Sequence, residues 1–154
     1  WLVQRNPDEK VRLQQIQQAF DIINETPGPI LLVTERQLVT IGAVHGVEML
    51  PEYEKVFLME MAMGKNQQYL SQFRQKLAEH AFTAIISDPL ATNIQGSDHG
   101  FADENNAWVE QVVLPMLAEY EGVLSWRNGE INLLVPQGET ALIQQLLDSQ
   151  NPAR

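Results

Sequence analysis

The chain has 154 residues, of which 44% are hydrophobic and 19% charged, and its formal net charge is −10. This length and composition predict one globular domain that is large enough to bury a core. The sequence has no basic stripe to displace counterions, which argues against nucleic-acid binding. Because it has no cysteine, disulfides, thiolate nucleophiles and cysteine-ligated metals are excluded.

The first segment begins at Trp1 rather than at a methionine, with the apolar residues Trp1-Leu2-Val3. We therefore interpret residues 1–154 as a single α/β domain that has been excised from a longer protein. An amphipathic helix is predicted to follow, with Asn6 as its N-cap and Pro7 at its first position. Its apolar residues recur at three- and four-residue spacing, namely Leu13, Ile16, Phe20 and Ile23.

Two uninterrupted apolar runs predict strands that are buried on both faces. They are Pro29–Thr34 and Phe82–Ser87, and each follows a predicted helix. Runs of this kind are typical of parallel sheets that are covered by helices on both sides. We expect the first of them to be central in the sheet, and Val47–Leu50 to form a further short strand.

The middle of the chain predicts several helices. One opens at Pro51 and carries Met59 and Met63, which favour either core packing or a soft binding surface. Gly64 is expected to end this helix, and Asn66 to cap the next one. A later helix starts near Glu104, and Pro115 should kink it or end its regular part.

The C-terminal part predicts a β-hairpin and a last helix. Asn128-Gly129 is a strong two-residue turn signal because both positions tolerate positive φ. In the matching register Arg127 faces Glu130, Trp126 faces Ile131 and Leu124 faces Leu133. Together the elements predict a three-layer α/β fold, with a mostly parallel Rossmann-like sheet and a C-terminal antiparallel hairpin.

Ligands of open α/β sheets bind beyond the carboxyl ends of the strands, and this rule places the candidate site. The ligand-binding residues that it selects are Thr34, Glu35, Arg36, Glu52, Asp88, Asp98 and His99. Asp98 and His99 lie in a long polar segment, Asp88–Asp103, which is expected to cover the same edge. The other interpretation is that these are turn residues and caps, with Asp103 capping the next helix.

The motifs of several reactions are missing from the sequence. It contains no glycine-rich phosphate loop, no nucleophile elbow and no metal-ligand spacing. We therefore assign no catalytic residue, no metal and no cofactor.

The overall pattern nevertheless resembles a known family. The residues that carry the resemblance include Pro27–Leu31, Leu50–Ala62, Tyr69–Phe73, Phe82–Leu90, Phe101–Asn105 with Trp108, and Tyr120-Glu121. Between Pro27 and Val135 the chain is similar to the soluble C-terminal domain of bacterial polytopic membrane proteins related to dolichyl-phosphate-mannose-protein mannosyltransferases. The match is one of pattern and includes no catalytic motif.

The resemblance implies a non-catalytic accessory domain on the extracytoplasmic side of a membrane, in a parent protein of the glycosyltransferase type. Its partner would be the membrane-embedded part of the same chain. Two alternatives stay open: a module that binds a small molecule or a glycan at the strand ends, and a small free-standing enzyme that uses the 88–104 loop.

Overall fold

A computed structural model describes residues 7–151 of the chain. The helices are α1 (Pro7–Ile23), α2 (Gln37–Thr40), α3 (Lys55–Met63), α4 (Gln67–Ala78), α5 (Ala102–Trp108), α6 (Leu114–Glu119) and α7 (Thr140–Ser149). The strands are β1 (Ile30–Leu32), β2 (Ala84–Ser87), β3 (Tyr120–Trp126) and β4 (Ile131–Pro136). A 3₁₀ turn spans Pro51–Tyr53, and a π-helical segment, Val109–Val113, joins α5 to α6. The predicted Trp1–Val3 boundary and the Asn6 cap lie outside the described residues.

The four strands form one mixed sheet in the order β1-β2-β4-β3. Only β1 and β2 run parallel, while β2–β4 and β3–β4 are antiparallel. The α/β class is confirmed, but the prediction of a mostly parallel, Rossmann-like sheet is wrong. An apolar run reports that both faces of a strand are buried and does not encode the direction of its neighbours. In this sheet, β4 of the C-terminal hairpin pairs directly with β2, in the antiparallel direction.

The position of β1 also differs from the prediction. It lies at an edge of the sheet and not at its centre. All three of its residues are nevertheless buried, because helices cover both faces. Its short length limits the row of unpaired backbone groups that an edge strand exposes. The predicted strand at Val47–Leu50 is absent, since this stretch is an irregular connection that leads into the 3₁₀ turn.

The core is divided between the two faces of the sheet, which makes the domain three-layered. On one face, Leu31, Ile85 and Leu134 pack with residues of α3, α4 and the segment from α5 to α6. On the other face, Ile30, Ile86 and Leu133 pack with residues of α1 and α7. Burial of β1 and β2 on both faces is therefore confirmed.

The predicted hairpin register is confirmed. Trp126 pairs with Ile131 and Leu124 with Leu133, and both Asn128 and Gly129 have positive φ. The cap at Asn66 is confirmed as well, because its side chain accepts a 3.1 Å hydrogen bond from the backbone N–H of Tyr69. Asp103 is not a cap, since Phe101 occupies that position and makes no side-chain cap bond.

Pro115 explains the π-helical segment. A proline has no N–H, and its ring clashes with the carbonyl four residues earlier. Here the helix accommodates Pro115 by widening over Val109–Val113 rather than by ending. The regular α-helix is interrupted just before Pro115 and resumes as α6, which contains Pro115, so the chain stays helical from Ala102 to Glu119.

Candidate functional site

The carboxyl ends of β1 and β2 meet at one edge of the sheet because the two strands are parallel. The start of β4 lies at the same edge, since Ser87 at the end of β2 pairs with Asn132. The N-terminus of α3 joins them, and its Lys55 N–H donates a 3.2 Å hydrogen bond to the carbonyl of Val33. A depression of about 210 Å³ opens here, which we call the carboxyl-edge crevice. It is lined by residues 33–37 and 54–56.

Lys55 and Asp88 form an ion pair beside this crevice. The hydroxyl of Ser87, which is fully buried, donates a 3.3 Å hydrogen bond to the other carboxylate oxygen of Asp88. The ammonium group of Lys55 also lies 5.6 Å from the centre of the Trp108 ring, within the range of a cation–π contact. These contacts connect α3, β2 and α5 around one charged pair.

Glu35 is held in an unusual backbone conformation. Its φ is +62°, in the left-handed region that residues other than glycine rarely adopt. Its carboxylate accepts a 2.8 Å hydrogen bond from Gln37 and lies 3.8 Å from the guanidinium of Arg127. Arg127 also pairs with Glu130 at 3.4 Å, so Glu35 connects the end of β1 to the hairpin turn.

Arg36 makes its hydrogen bonds to the backbone rather than to an acid. Its guanidinium donates to the carbonyl of Leu32 at 3.1 Å and to the carbonyl of Leu50. Across the residues that the structure describes, Arg36 has no carboxylate partner. Its positive charge is therefore not compensated by an ion pair among these residues.

Thr34 carries the clearest unmet bonding capacity in the crevice. Its hydroxyl oxygen is buried and has no hydrogen-bond partner within residues 7–151. A buried polar atom without a partner costs free energy, so such atoms call for an explanation. Thr34 and Arg36 both line the crevice, although the hydroxyl oxygen of Thr34 itself is closed off from solvent.

The other predicted site residues lie elsewhere. Glu52 is exposed in the 3₁₀ turn, and its backbone carbonyl accepts a hydrogen bond from the Tyr69 hydroxyl. His99 lines a different depression, next to Met63 at the far end of α3. Asp98 is exposed in the same polar segment. The structure thus brings Thr34, Glu35, Arg36 and Asp88 together, but not Asp98 and His99 with them.

The path of the polar segment explains this separation. Asn106 exchanges two hydrogen bonds with the backbone of Gln95, at 2.8 and 2.9 Å, and Asn105 donates to the carbonyl of Asn93 at 2.8 Å. These contacts hold the segment against α5. The sequence rule placed the segment over the strand ends and did not foresee these bonds. The enzyme reading, in which Asp88, Asp98 and His99 act together, gains no common site from this geometry.

Two tyrosines near Glu52 have perturbed acidity. Burial raises the pKa of Tyr69 and of Tyr53, and the negative charge of Glu52 raises both pKa values further. Each phenol therefore stays protonated at a pH where an exposed tyrosine would ionise. Within the described chain, no three His, Asp or Glu side chains are grouped so that they could hold a metal ion.

Two residues at this edge were not selected from the sequence. Lys55 carries a weak signal, because it follows the proline and acids that open a helix. Arg127 gave no signal for this site, since its contact with Glu35 depends on β4 lying next to β2.

Comparisons with known proteins add no relative. The sequence matches no protein-family model, and no curated protein or solved structure is significantly similar to it. Among residues 7–151, none of the helices has the length and apolar character needed to cross a bilayer.

Proposed function

We propose that this chain is a non-catalytic accessory domain of a membrane-embedded, glycosyltransferase-like protein, held on the extracytoplasmic side. Its partner is the membrane-embedded part of the same parent chain. The observation that carries the proposal is that two carboxylates at the carboxyl edge are held in ion pairs. Asp88 is paired with Lys55, and Glu35 with Arg127. These two ion pairs connect α3, β1, β2 and the hairpin. Carboxylates engaged in this way suit a structural role better than proton transfer.

The same proposal is supported by the resemblance that the segment from Pro27 to Val135 has to soluble domains of such membrane proteins. That resemblance includes no catalytic motif. The test is sugar transfer from a lipid-linked donor, measured with the domain alone and with the parent protein. We expect no transfer by the domain alone. Transfer at a rate that falls in an Asp88→Asn variant would overturn the proposal, since Asp88 would then be working as an acid or a base.

A second candidate function is binding of a polar small molecule or glycan in the carboxyl-edge crevice. The observation that favours it is that the crevice is lined by Thr34, whose buried hydroxyl has no partner within residues 7–151, and by Arg36, which has no carboxylate partner there. A ligand hydroxyl could accept a hydrogen bond from the first group, and a ligand phosphate could also neutralise the second.

This second candidate has a sharp test in Thr34→Val, which keeps the shape of the side chain and removes the hydroxyl. Sugars and sugar phosphates are screened by thermal shift, because a ligand that binds only the folded state raises the melting temperature. A true crevice ligand should lose its shift in Thr34→Val and keep it in Thr92→Val, which alters an exposed threonine of the polar segment. Equal shifts in both variants would place the ligand elsewhere.

A further inference from the structure

Helix α3 is more apolar than its surface position requires. Seven of its nine residues are apolar, and only Leu58 and Ala62 are fully buried. A helix that is hydrophobic all round is normally enclosed by other elements. Instead, Val56 and Met63 expose 76% and 42% of their surfaces, on a stripe that they share with Glu60.

A groove runs between the C-terminal part of α3 and the helix that starts at Ala102. It consists of two adjoining depressions of about 380 Å³ each, which have Met63 and Asp103 in common. Phe101 lines the first depression and exposes 74% of its surface, although it is one of the largest apolar side chains of the domain. We call this surface the α3/α5 groove.

The α3/α5 groove is acidic. Asp103, Glu104 and Glu110 line it, against one lysine, Lys65. Within the part of the chain that the structure describes, none of these three carboxylates forms an ion pair. At the carboxyl-edge crevice, by contrast, Asp88 and Glu35 have cationic partners, whereas Glu54 has none among the described residues.

The π-helical segment supplies one wall of the groove. Glu110 and Gln111 belong to it and line the second depression. Short π-helical segments inside α-helices are rare and occur frequently at functional sites. Pro115 accounts for the widening sterically, and the widened turn is the one that carries the acidic wall.

We propose that the α3/α5 groove docks a basic, amphipathic helical segment of a partner polypeptide. Its apolar face would cover Met63 and Phe101, and its lysines or arginines would pair with Asp103, Glu104 and Glu110. Charge complementarity selects this partner, because unpaired carboxylates beside the exposed apolar side chains of Met63 and Phe101 favour cations with apolar neighbours. The flexible side chain of Met63 suits such a surface. This proposal does not depend on the proposed accessory function.

The test titrates two fluorescent model peptides into the whole chain. Both form amphipathic helices that contain leucine and one type of charged residue. This residue is lysine in the first peptide and glutamate in the second. We expect the lysine peptide to bind, with an affinity that falls as salt is added, and the glutamate peptide not to bind. Binding of the glutamate peptide with equal affinity would overturn the proposal.

Matched variants locate the binding surface. Phe101→Ser should weaken the lysine peptide by about fivefold or more, because a central apolar contact is lost. Glu110→Gln should reduce the salt dependence of the lysine peptide's affinity, because it removes one of the carboxylates that attract the peptide. Leu147→Ser is the control, since Leu147 is an exposed apolar residue on α7, in the opposite helical layer. An effect of Leu147→Ser equal to that of Phe101→Ser would overturn the proposal, because binding would then be non-specific.

Methyl NMR of the methionines gives an independent readout. The lysine peptide should shift the Met63 signal and leave that of the buried Met116 unchanged. Binding without a Met63 shift would overturn the proposal. So would a Met63 shift produced by neutral phosphatidylcholine vesicles and not by the peptide, which would mark a lipid surface, or a shift on dilution alone, which would mark a second copy of the chain. Melting curves confirm that each variant is folded.

Discussion

The hydroxyl of Tyr120 donates a 2.7 Å hydrogen bond to the carbonyl of Phe82 inside the core. Tyr120 begins β3, and Phe82 lies two residues before β2, so the bond connects two parts of the sheet that are separated by β4. The ring of His80 packs edge-on against Tyr120 at 5.7 Å, while its imidazole lies 3.5 Å from Glu119. The hydrogen bond from Tyr120 to Phe82 therefore anchors the end of the sheet opposite the carboxyl-edge crevice.

Tyr120→Phe should lower the free energy of unfolding by about 1–3 kcal/mol, because it leaves the buried carbonyl of Phe82 without a partner. Chemical denaturation measures the loss. Tyr53→Phe is the matched control, since Tyr53 is also buried but its hydroxyl makes no hydrogen bond within residues 7–151. A loss as large for Tyr53→Phe as for Tyr120→Phe would contradict a specific role of the bond.

All three tyrosines of the chain should resist ionisation together. Burial raises the pKa of Tyr53, Tyr69 and Tyr120 above the ordinary value. Because each phenol is neutral when protonated, the folded state retains these protons to a higher pH than the unfolded state does. This contribution to stability is fully present below about pH 10, the pKa of an unfolded tyrosine, and is lost as the pH rises above it.

Ultraviolet absorbance of the phenolate, recorded with circular dichroism, measures this effect. We expect little phenolate near the ordinary tyrosine pKa while the protein is folded, followed by ionisation that coincides with unfolding. Protein in denaturant should titrate at the ordinary value. Complete ionisation near that value, with unchanged circular dichroism, would show that the phenols are accessible in the folded state.

The sequence predicted local elements better than their arrangement. The hairpin register was predictable because Asn128-Gly129 fixes the turn and Trp126 with Ile131 fixes the pairing. The buried strands β1 and β2 were predictable from their apolar runs. Their places in the sheet were not, because insertion of β4 beside β2 depends on contacts more than 40 residues apart, such as that of Ile85 with Leu134.

The candidate site shows the same division. Thr34, Glu35 and Arg36 lie within four residues of the end of β1, so the strand-end rule was sufficient to group them. Asp98 and His99 lie ten or more residues beyond β2, and the bonds that Asn105 and Asn106 make to the segment decide where they lie. No periodicity or motif encodes such side-chain-to-backbone contacts.

The ion pair of Lys55 with Asp88 should contribute modestly to stability. Lys55 exposes 42% of its side chain and Asp88 27%, so water screens their attraction. A double-mutant cycle with Lys55→Met and Asp88→Asn should give a coupling of about 0.5–1 kcal/mol that decreases at high salt. Arg12 with Glu9 on α1 provides a reference pair of similar exposure, for which we expect a smaller value because the two groups are 3.6 Å apart. A coupling that is unaffected by salt would mean that the pair is shielded from solvent.

Gly28 should be the glycine of the β1 region that tolerates substitution least. It has a φ of +142°, and a Cβ there would lie 2.6 Å from the Cγ2 methyl of Thr83. Gly28→Ala therefore combines backbone strain with a steric clash, and it should lower the free energy of unfolding by about 1–3 kcal/mol or more. Adding Thr83→Ser removes the methyl group and retains the hydroxyl that bonds to the carbonyl of Pro29 at 3.2 Å. The double variant should recover the part of the loss that is due to the clash, while the strain stays.

Gly100→Ala is the control, because Gly100 has no positive φ and no atom lies within 4 Å of the new methyl group. The free energy of unfolding of this variant should therefore change little. Equal losses for Gly28→Ala and Gly100→Ala in chemical denaturation would show that neither the backbone at Gly28 nor its contact with Thr83 limits the fold.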